Sequence, residues 1–210
     1  LSWEGPFDEY VDRVIVDPGL ARLAHSRIYD MIQWSGVTPN SSGIPEYSLF
    51  SNDLYGLDLG LSRLVQYFHT ASRGLEVKKR ILLLLGPPGS GKSTVVGLLK
   101  EGLERYSRTD EGAIYAIKEC PMQEDPLHLI PEKWRETLFS EYNIKVEGDL
   151  CPRCRYKLIH EYSGDISKVT IKRIILSESA GIGMGTFVAS THENQDMARL
   201  VGSLDLDRME

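Results

Sequence analysis

A chain of 210 residues, 41% hydrophobic and 26% charged, has the balance of an ordinary folded domain and enough length to bury one sizeable core. A net charge of −6 argues against a general nucleic-acid binder, so no nucleic-acid partner is expected. No apolar run approaches the roughly 20 residues a membrane helix needs, and residues 1–6 carry neither the basic nor the apolar stretch of a secretory signal. Three cysteines, two of them in a Cys-x-x-Cys, fit a reducing, cytoplasmic setting better than a disulfide framework. The chain opens without Met and stops after a polar run, which leads one to expect a piece of something longer.

Along the chain, Phe7, Tyr10, Val11, Val14 and Ile15 repeat at helical spacing and stop before Pro18, predicting a first helix. Leu20, Leu23, Ala24, Ile28, Met31 and Ile32 predict a second over residues 19–34, ended by Gly36. Residues 38–47 are rich in Pro, Ser, Asn and Gly and read as a loop. After Gly56, the residues Leu57, Leu61, Leu64, Val65, Phe68, Ala71 and Leu75 step by three and four as a third helix. Residues 81–85 are wholly apolar and predict a strand buried on both faces, as in a parallel sheet. A helix should follow to about residue 106. Residues 113–117 read as a second strand, 121–130 as a loop, and Pro131 as the start of a helix bearing Trp134, Leu138 and Tyr142. Residues 146–154 read as a turn region, 169–176 as a strand and 186–190 as another. Residues 191–210 are polar and show no period.

Between the apolar strand and its helix lies Gly86-Pro87-Pro88-Gly89-Ser90-Gly91-Lys92-Ser93-Thr94, which is G-x-x-x-x-G-K-[ST] in the context that gives it meaning. Glycines let the backbone wrap close to an anion and turn several N–H groups inward. The following helix adds its positive N-terminal end. Lys92 supplies a full charge for the β- and γ-phosphates of ATP, and the Ser93 hydroxyl is a ligand for Mg²⁺. Hydrolysis needs a further acid at the end of another strand. The nearest run, Ile174-Ile175-Leu176-Ser177-Glu178, has Ser in the acidic place, and Leu204-Asp205 lacks a preceding strand. Two alternatives stay open: an acidic motif beyond Glu210, or a domain that binds without turnover. Neither H-R-D nor D-F-G occurs, which excludes an ordinary eukaryotic-type kinase site. Asp53-Leu54-Tyr55-Gly56 also has two readings, a stretch lying against adenine or a helix start capped by Asn52 or Asp53.

Cys151-Pro152-Arg153-Cys154 resembles a knuckle that presents two thiolates to one metal ion. Cys120 lies upstream, after the second strand, and His128 or His160 could complete a Cys₃His set around structural zinc. The alternative is a buried Cys120 and a reduced Cys151/Cys154 pair. A thioredoxin-type redox role is disfavoured, because no strand precedes Cys151 and no helical pattern begins there.

Several stretches resemble the PrkA family of bacterial serine protein kinases. They are Tyr67-Phe68 to Ala71, Arg73-Gly74-Leu75-Glu76-Val77 and Lys79-Arg80-Ile81-Leu82-Leu83-Leu84-Leu85-Gly86. So are Cys120-Pro121-Met122, Pro126-Leu127-His128-Leu129-Ile130-Pro131, Glu147-Gly148-Asp149-Leu150-Cys151-Pro152 with Cys154-Arg155-Tyr156, and Gly164-Asp165-Ile166. The resemblance implies the N-terminal AAA+-type ATPase domain of a much longer protein, with residues 86–94 as its nucleotide loop. It implies a protein Ser or Thr as phosphate acceptor, or a protein client if the family works as a Lon-like ATP-dependent protease or chaperone, and a homo-oligomeric ring.

The expected fold is therefore α/β: a P-loop, AAA+-like parallel sheet with helices on both faces. An N-terminal helical arm over residues 1–50 should precede a partial ATPase domain over 51–210, which carries a cysteine-containing insert at about 118–168.

Overall fold

The computed structural model describes residues 2–74 and 79–187. Strand β1 (Glu4–Pro6) runs directly into α1 (Phe7–Val16). Phe7, Tyr10 and Val14 share one face of α1 and are buried. Asp8 and Glu9 in its first turn and Arg13 in its last complement the helix dipole. The Asp17 side chain then accepts the Gly19 N–H at 2.9 Å, which starts a separate 3₁₀ turn, Pro18–Ala21. The helix expected over 19–34 is therefore broken, and α2 spans Ala24–Trp34. Arg27 holds the break in place. Its guanidinium donates to the carbonyls of Leu20 (2.6 Å) and Arg22 (2.9 Å), which the break would otherwise leave unpaired, and to the Ala113 carbonyl (3.0 Å) beside β4.

Residues expected to form a loop instead pair as an antiparallel hairpin, β2 (Val37–Pro39) with β3 (Pro45–Tyr47). Helix α3 (Asp58–Ser72) buries Leu61, Leu64, Val65, Phe68 and Ala71 along one stripe. Helix α4 (Lys92–Tyr106) leaves the Gly-rich loop. These helices close on α2 around Met31, Ile32, Phe50, Val65, Val95 and Tyr106. Leu75, which the sequence placed on the third helix, lies outside the described residues.

The second core gathers around a three-stranded sheet of order β1-β5-β4, with β4 at Ile114–Ile117 and β5 at Thr170–Ile174. Ile114 faces Ile174 and Ile117 faces Ile171 across β4 and β5, while Gly5 faces Ile171 on the other side. Phe7, Tyr10 and Val14 of α1 pack here with Ile117, Ile171, Leu127, Ile144, Cys120 and Cys154. Thus residues 1–50 contribute to both cores. Between β4 and β5 the chain forms a 3₁₀ turn (Pro126–Leu129), α5 (Glu132–Tyr142), α6 (Pro152–His160) and a second 3₁₀ turn (Ile166–Lys168).

Two expectations are corrected. Both described sheets are antiparallel, not parallel. Hydrophobic period marks a strand but carries no information on the direction of its neighbours. Residues 81–85 form no strand among the described residues, and Ile81, Leu83 and Leu85 are 93%, 71% and 83% exposed. Only Leu84 packs against the helical core. An all-apolar run signals burial on both faces only when strands flank it, and none of the described strands does. The strand expected at 186–190 falls largely outside the described residues. Thr186 and Phe187 belong to no strand.

Candidate functional site

The Gly-rich loop lies at the mouth of an open cleft of about 560 Å³. One wall is residues 88–94; the other is Asp53, Leu54, Tyr55 and Leu57. Asn52 and Asp53 do not cap α3. That helix starts at Asp58 behind Leu57, with no side-chain cap. The stretch the sequence left open between two readings is thus a wall of the cleft.

Lys92 folds back over the loop. Its Nζ donates to Gly86 O at 2.8 Å, Pro87 O at 2.7 Å and Ser90 Oγ at 3.0 Å. Gly86 permits this, since a Cβ there would sit 2.7 Å from Ser90 Oγ. Gly91 turns the chain into α4 with φ +80°, and a Cβ there would meet Leu54 Cδ2 at 2.8 Å. The first helical bond runs from Val95 N–H to Gly91 O at 2.9 Å. The N–H groups of Lys92, Ser93 and Thr94 therefore have no helical acceptor and are available to an anion. Gly86, Pro87, Pro88 and Gly89 complete the loop and are exposed, and the Ser90 N–H closes on Pro87 O. All nine residues of the sequence motif are thus contiguous around one lysine.

The cysteines converge in the other core. The sulfurs of Cys120, Cys151 and Cys154 and a carboxylate oxygen of Glu124 lie within 4.8 Å of one another. Cys120 Sγ and Cys151 Sγ are 3.8 Å apart, and all three cysteines are free. Cys120 sits in a tight loop after β4, between Glu119 and Gln123, both with positive φ. Cys151 caps α6 and accepts the Cys154 N–H at 3.4 Å. A helix does start after Cys151, contrary to the sequence reading, though no strand precedes it.

His128 is not where a fourth ligand would be. Its Nδ1 meets Glu124 Oε1 at 2.5 Å and its Nε2 meets the Glu147 carbonyl at 2.7 Å, so both ring nitrogens are engaged. The carbonyl can only accept, so Nε2 carries a proton. His160 stacks on Tyr156 at 4.3 Å and is not among the groups that converge on the sulfurs. A carboxylate oxygen of Glu124, a residue not singled out from the sequence, is the fourth donor atom that converges with the sulfurs. Glu124 Oε2 accepts the Cys151 N–H at 3.0 Å.

Burial pushes the Glu124 carboxyl up, but the His128 hydrogen bond and the Cys151 thiol and N–H outweigh it and hold the carboxyl below its ordinary value. Burial opposes the charge on His128, yet Glu124 and the Glu147 carbonyl raise its pKa. Burial also raises the Cys120 thiol; N–H donors from Glu124 and Met122 and the neighbouring thiols reverse that and lower it. Cys154 is pushed well up, by burial first and then by the other two sulfurs.

Comparison with known proteins joins these features to a family. The PrkA AAA domain family matches residues 5–210. The ATP-dependent protease PrkA of Bacillus subtilis (strain 168) is 49% identical over 206 residues, which cover 98% of this chain and 32% of that protein. The serine/threonine kinase YeaG of Escherichia coli (strain K12) is 29% identical over 201 residues, 92% of this chain and 28% of that protein. Lon protease of Rickettsia prowazekii (strain Madrid E) is 31% identical over 67 residues, 31% of this chain and 8% of its own length. The chain spans about a third of the length of the curated PrkA and YeaG relatives. No solved structure matches it. No helix among the described residues is long and apolar enough to cross a membrane. Since the family match runs unbroken through the Gly-rich loop and the cysteine cluster alike, the chain belongs to the PrkA AAA domain family.

Proposed function

We propose that this chain is the Mg-ATP-binding module of a longer PrkA-type protein. The observation that carries this reading is Lys92, whose Nζ is gathered by Gly86 O, Pro87 O and Ser90 Oγ at the mouth of a cleft. The β- and γ-phosphate oxygens of ATP take over from these neutral acceptors, which are weaker partners for an ammonium than an anion is. Backbone N–H groups of residues 89–94 cradle the phosphates, and the N-terminus of α4 adds its partial positive charge. The Ser93 hydroxyl is a ligand for Mg²⁺, which neutralises phosphate charge when bound. Leu54 and Tyr55, on the opposite wall, face the base.

The test is equilibrium binding of a fluorescent ATP analogue with and without Mg²⁺. Lys92→Ala should weaken binding by roughly tenfold or more, about 1.4 kcal/mol, while leaving the circular dichroism spectrum unchanged. Equal affinity for the two proteins sinks the reading.

For the whole protein, two uses of ATP divide the family. The relative at 49% identity is named an ATP-dependent protease, and a Lon protease segment also matches, which favours ATP-driven work on a protein client. The relative at 29% identity is named a serine/threonine kinase, which supports transfer to a protein Ser or Thr. Incubation of the intact protein with γ-labelled ATP separates them. Label on a protein acceptor selects the kinase. Free labelled phosphate with none on protein, together with ATP-dependent assembly of a homo-oligomer, selects the motor.

A further inference from the structure

The cysteine cluster has no part in nucleotide binding; it lies in the core of β4, β5 and α1 rather than beside the Gly-rich loop. We propose that Cys120, Cys151, Cys154 and Glu124 hold one structural zinc ion, which clamps the loop after β4 to the N-terminus of α6.

Distances favour an ion over a bond between sulfurs. A tetrahedral zinc with Zn–S of about 2.3 Å sets its sulfurs about 3.8 Å apart. Cys120 Sγ and Cys151 Sγ lie 3.8 Å apart, where a disulfide would need about 2.0 Å. The four donor atoms already lie within 4.8 Å of one another, so a shift of about an ångström completes the coordination sphere.

The surroundings supply a backbone donor at the cluster. The Cys154 N–H donates to the Cys151 sulfur at 3.4 Å, so the first turn of α6 aims a backbone donor at sulfur. Three thiolates and a carboxylate around Zn²⁺ leave excess negative charge. Arg153 lines the small cavity beside Cys120 and Cys154, together with Lys118 and Lys157, which also pair with Glu4 and Glu119.

Ligand chemistry selects the metal. Three sulfurs exclude Mg²⁺ and Ca²⁺, which take oxygen, and the mixed sulfur and oxygen set suits zinc. Four protein donors leave no open position, so the ion is structural rather than catalytic. Glu124 is 9% exposed; Cys120 and Cys154 are more buried still. His128 is a positioning residue. Through Nδ1 it fixes the Glu124 carboxylate, and the Glu147 carbonyl fixes the ring in turn.

The experiment starts with the untagged protein, purified without chelator, and measures its metal content by plasma mass spectrometry. One zinc per chain is expected, and Cys151→Ser or Cys154→Ser should lose it. If these variants do not fold, exchange of Co²⁺ into the wild-type protein decides. Sulfur-to-cobalt charge-transfer absorption and a tetrahedral ligand-field spectrum are expected. His128→Ala should weaken zinc about 10–100-fold against a chromophoric chelator and keep the cobalt spectrum. Glu124→Gln should change that spectrum. The proposal is overturned by protein that neither contains nor takes up zinc, by a Cys120–Cys151 disulfide on peptide mapping, or by full zinc content in Cys151→Ser.

Discussion

Lys100 Nζ and Glu178 Oε1 meet at 2.5 Å, tying the middle of α4 to the segment that leaves β5. The Thr186 hydroxyl donates to the same carboxylate, and the Glu178 N–H donates to Glu104 Oε1 at 2.7 Å. Glu178 was the nearest the sequence came to an acid after a strand. Its partner Lys100 lies seven residues beyond Ser93, about 10 Å along the helix axis. The Glu178 backbone N–H is held further along the helix still, by Glu104, so Glu178 is committed to α4 contacts beyond Ser93.

Glu178→Gln should therefore leave the Mg²⁺ dependence of ATP binding unchanged. Its effect should appear in stability instead. Hydrogen bonds from Lys100 first and Thr186 next hold the Glu178 carboxyl below its ordinary value. A depressed carboxyl contributes stability that is fully present above its unfolded pKa and lost as pH falls through the folded one. Thermal midpoints of wild type and Glu178→Gln should differ near neutral pH and converge in acid, below the ordinary glutamate range. Calorimetry across pH checks this, and a gap that persists in acid contradicts it.

Gly91 and Gly97 make a pair of opposite sign on one helix. Gly91→Ala forces a side chain into the left-handed region, which costs about 1–2 kcal/mol, and drives its Cβ against Leu54 Cδ2. Both the loop and the cleft wall must then shift, so stability and ATP affinity should fall together. Gly97 lies inside α4 with nothing within 4 Å of an added Cβ. Gly97→Ala should raise stability by about 0.5–1 kcal/mol. Denaturant unfolding of the two variants reads the signs directly, and loss of stability in Gly97→Ala would mean the helix is packed there.

Leu83 and Ile32 test the exposed apolar segment. Ile32 is fully buried, and Ile32→Ala should cost about 2–5 kcal/mol. Leu83 is 71% exposed, so Leu83→Ala should stay within about 0.5 kcal/mol of wild type. A cost of several kcal/mol at Leu83 would show that residues 81–85 are covered in solution.

What the sequence revealed follows from what is local. Helices α1, α3 and α4 were readable because Phe7–Tyr10–Val14 and Leu61–Leu64–Val65–Phe68 form periodic stripes and the Gly-rich loop fixes where α4 starts. Helix α6 was missed because Cys154 is its single buried residue, so no stripe exists. Cys151 as cap with Pro152 in the first turn was the signal on hand. The antiparallel order β1-β5-β4 depends on pairing Glu4–Pro6 with residues far along the chain, which no local period encodes. Glu124 reads as one more surface acid until the loop after β4 folds against α6. Its spacing of four residues from both Cys120 and His128 was the remaining clue.

Tyr55 separates recognition of the base from recognition of phosphate. It is 80% exposed on the cleft wall, and its hydroxyl is turned away to donate to the Asn52 carbonyl at 3.1 Å. The ring face is therefore free to stack on a purine, an interaction worth about 1–3 kcal/mol for a nucleic-acid base on an aromatic side chain. Tyr55→Ala should weaken ATP roughly 5–150-fold, the equivalent of that energy, and leave inorganic tripolyphosphate binding as in wild type. Tyr55→Phe, which keeps the ring, should retain ATP affinity. Lys92→Ala, in contrast, should weaken both ligands, because its ammonium meets phosphate in each. Competition binding of the two ligands to the three variants checks the set. Equal losses for ATP and tripolyphosphate in Tyr55→Ala would mean that Tyr55 shapes the loop rather than contacting the base.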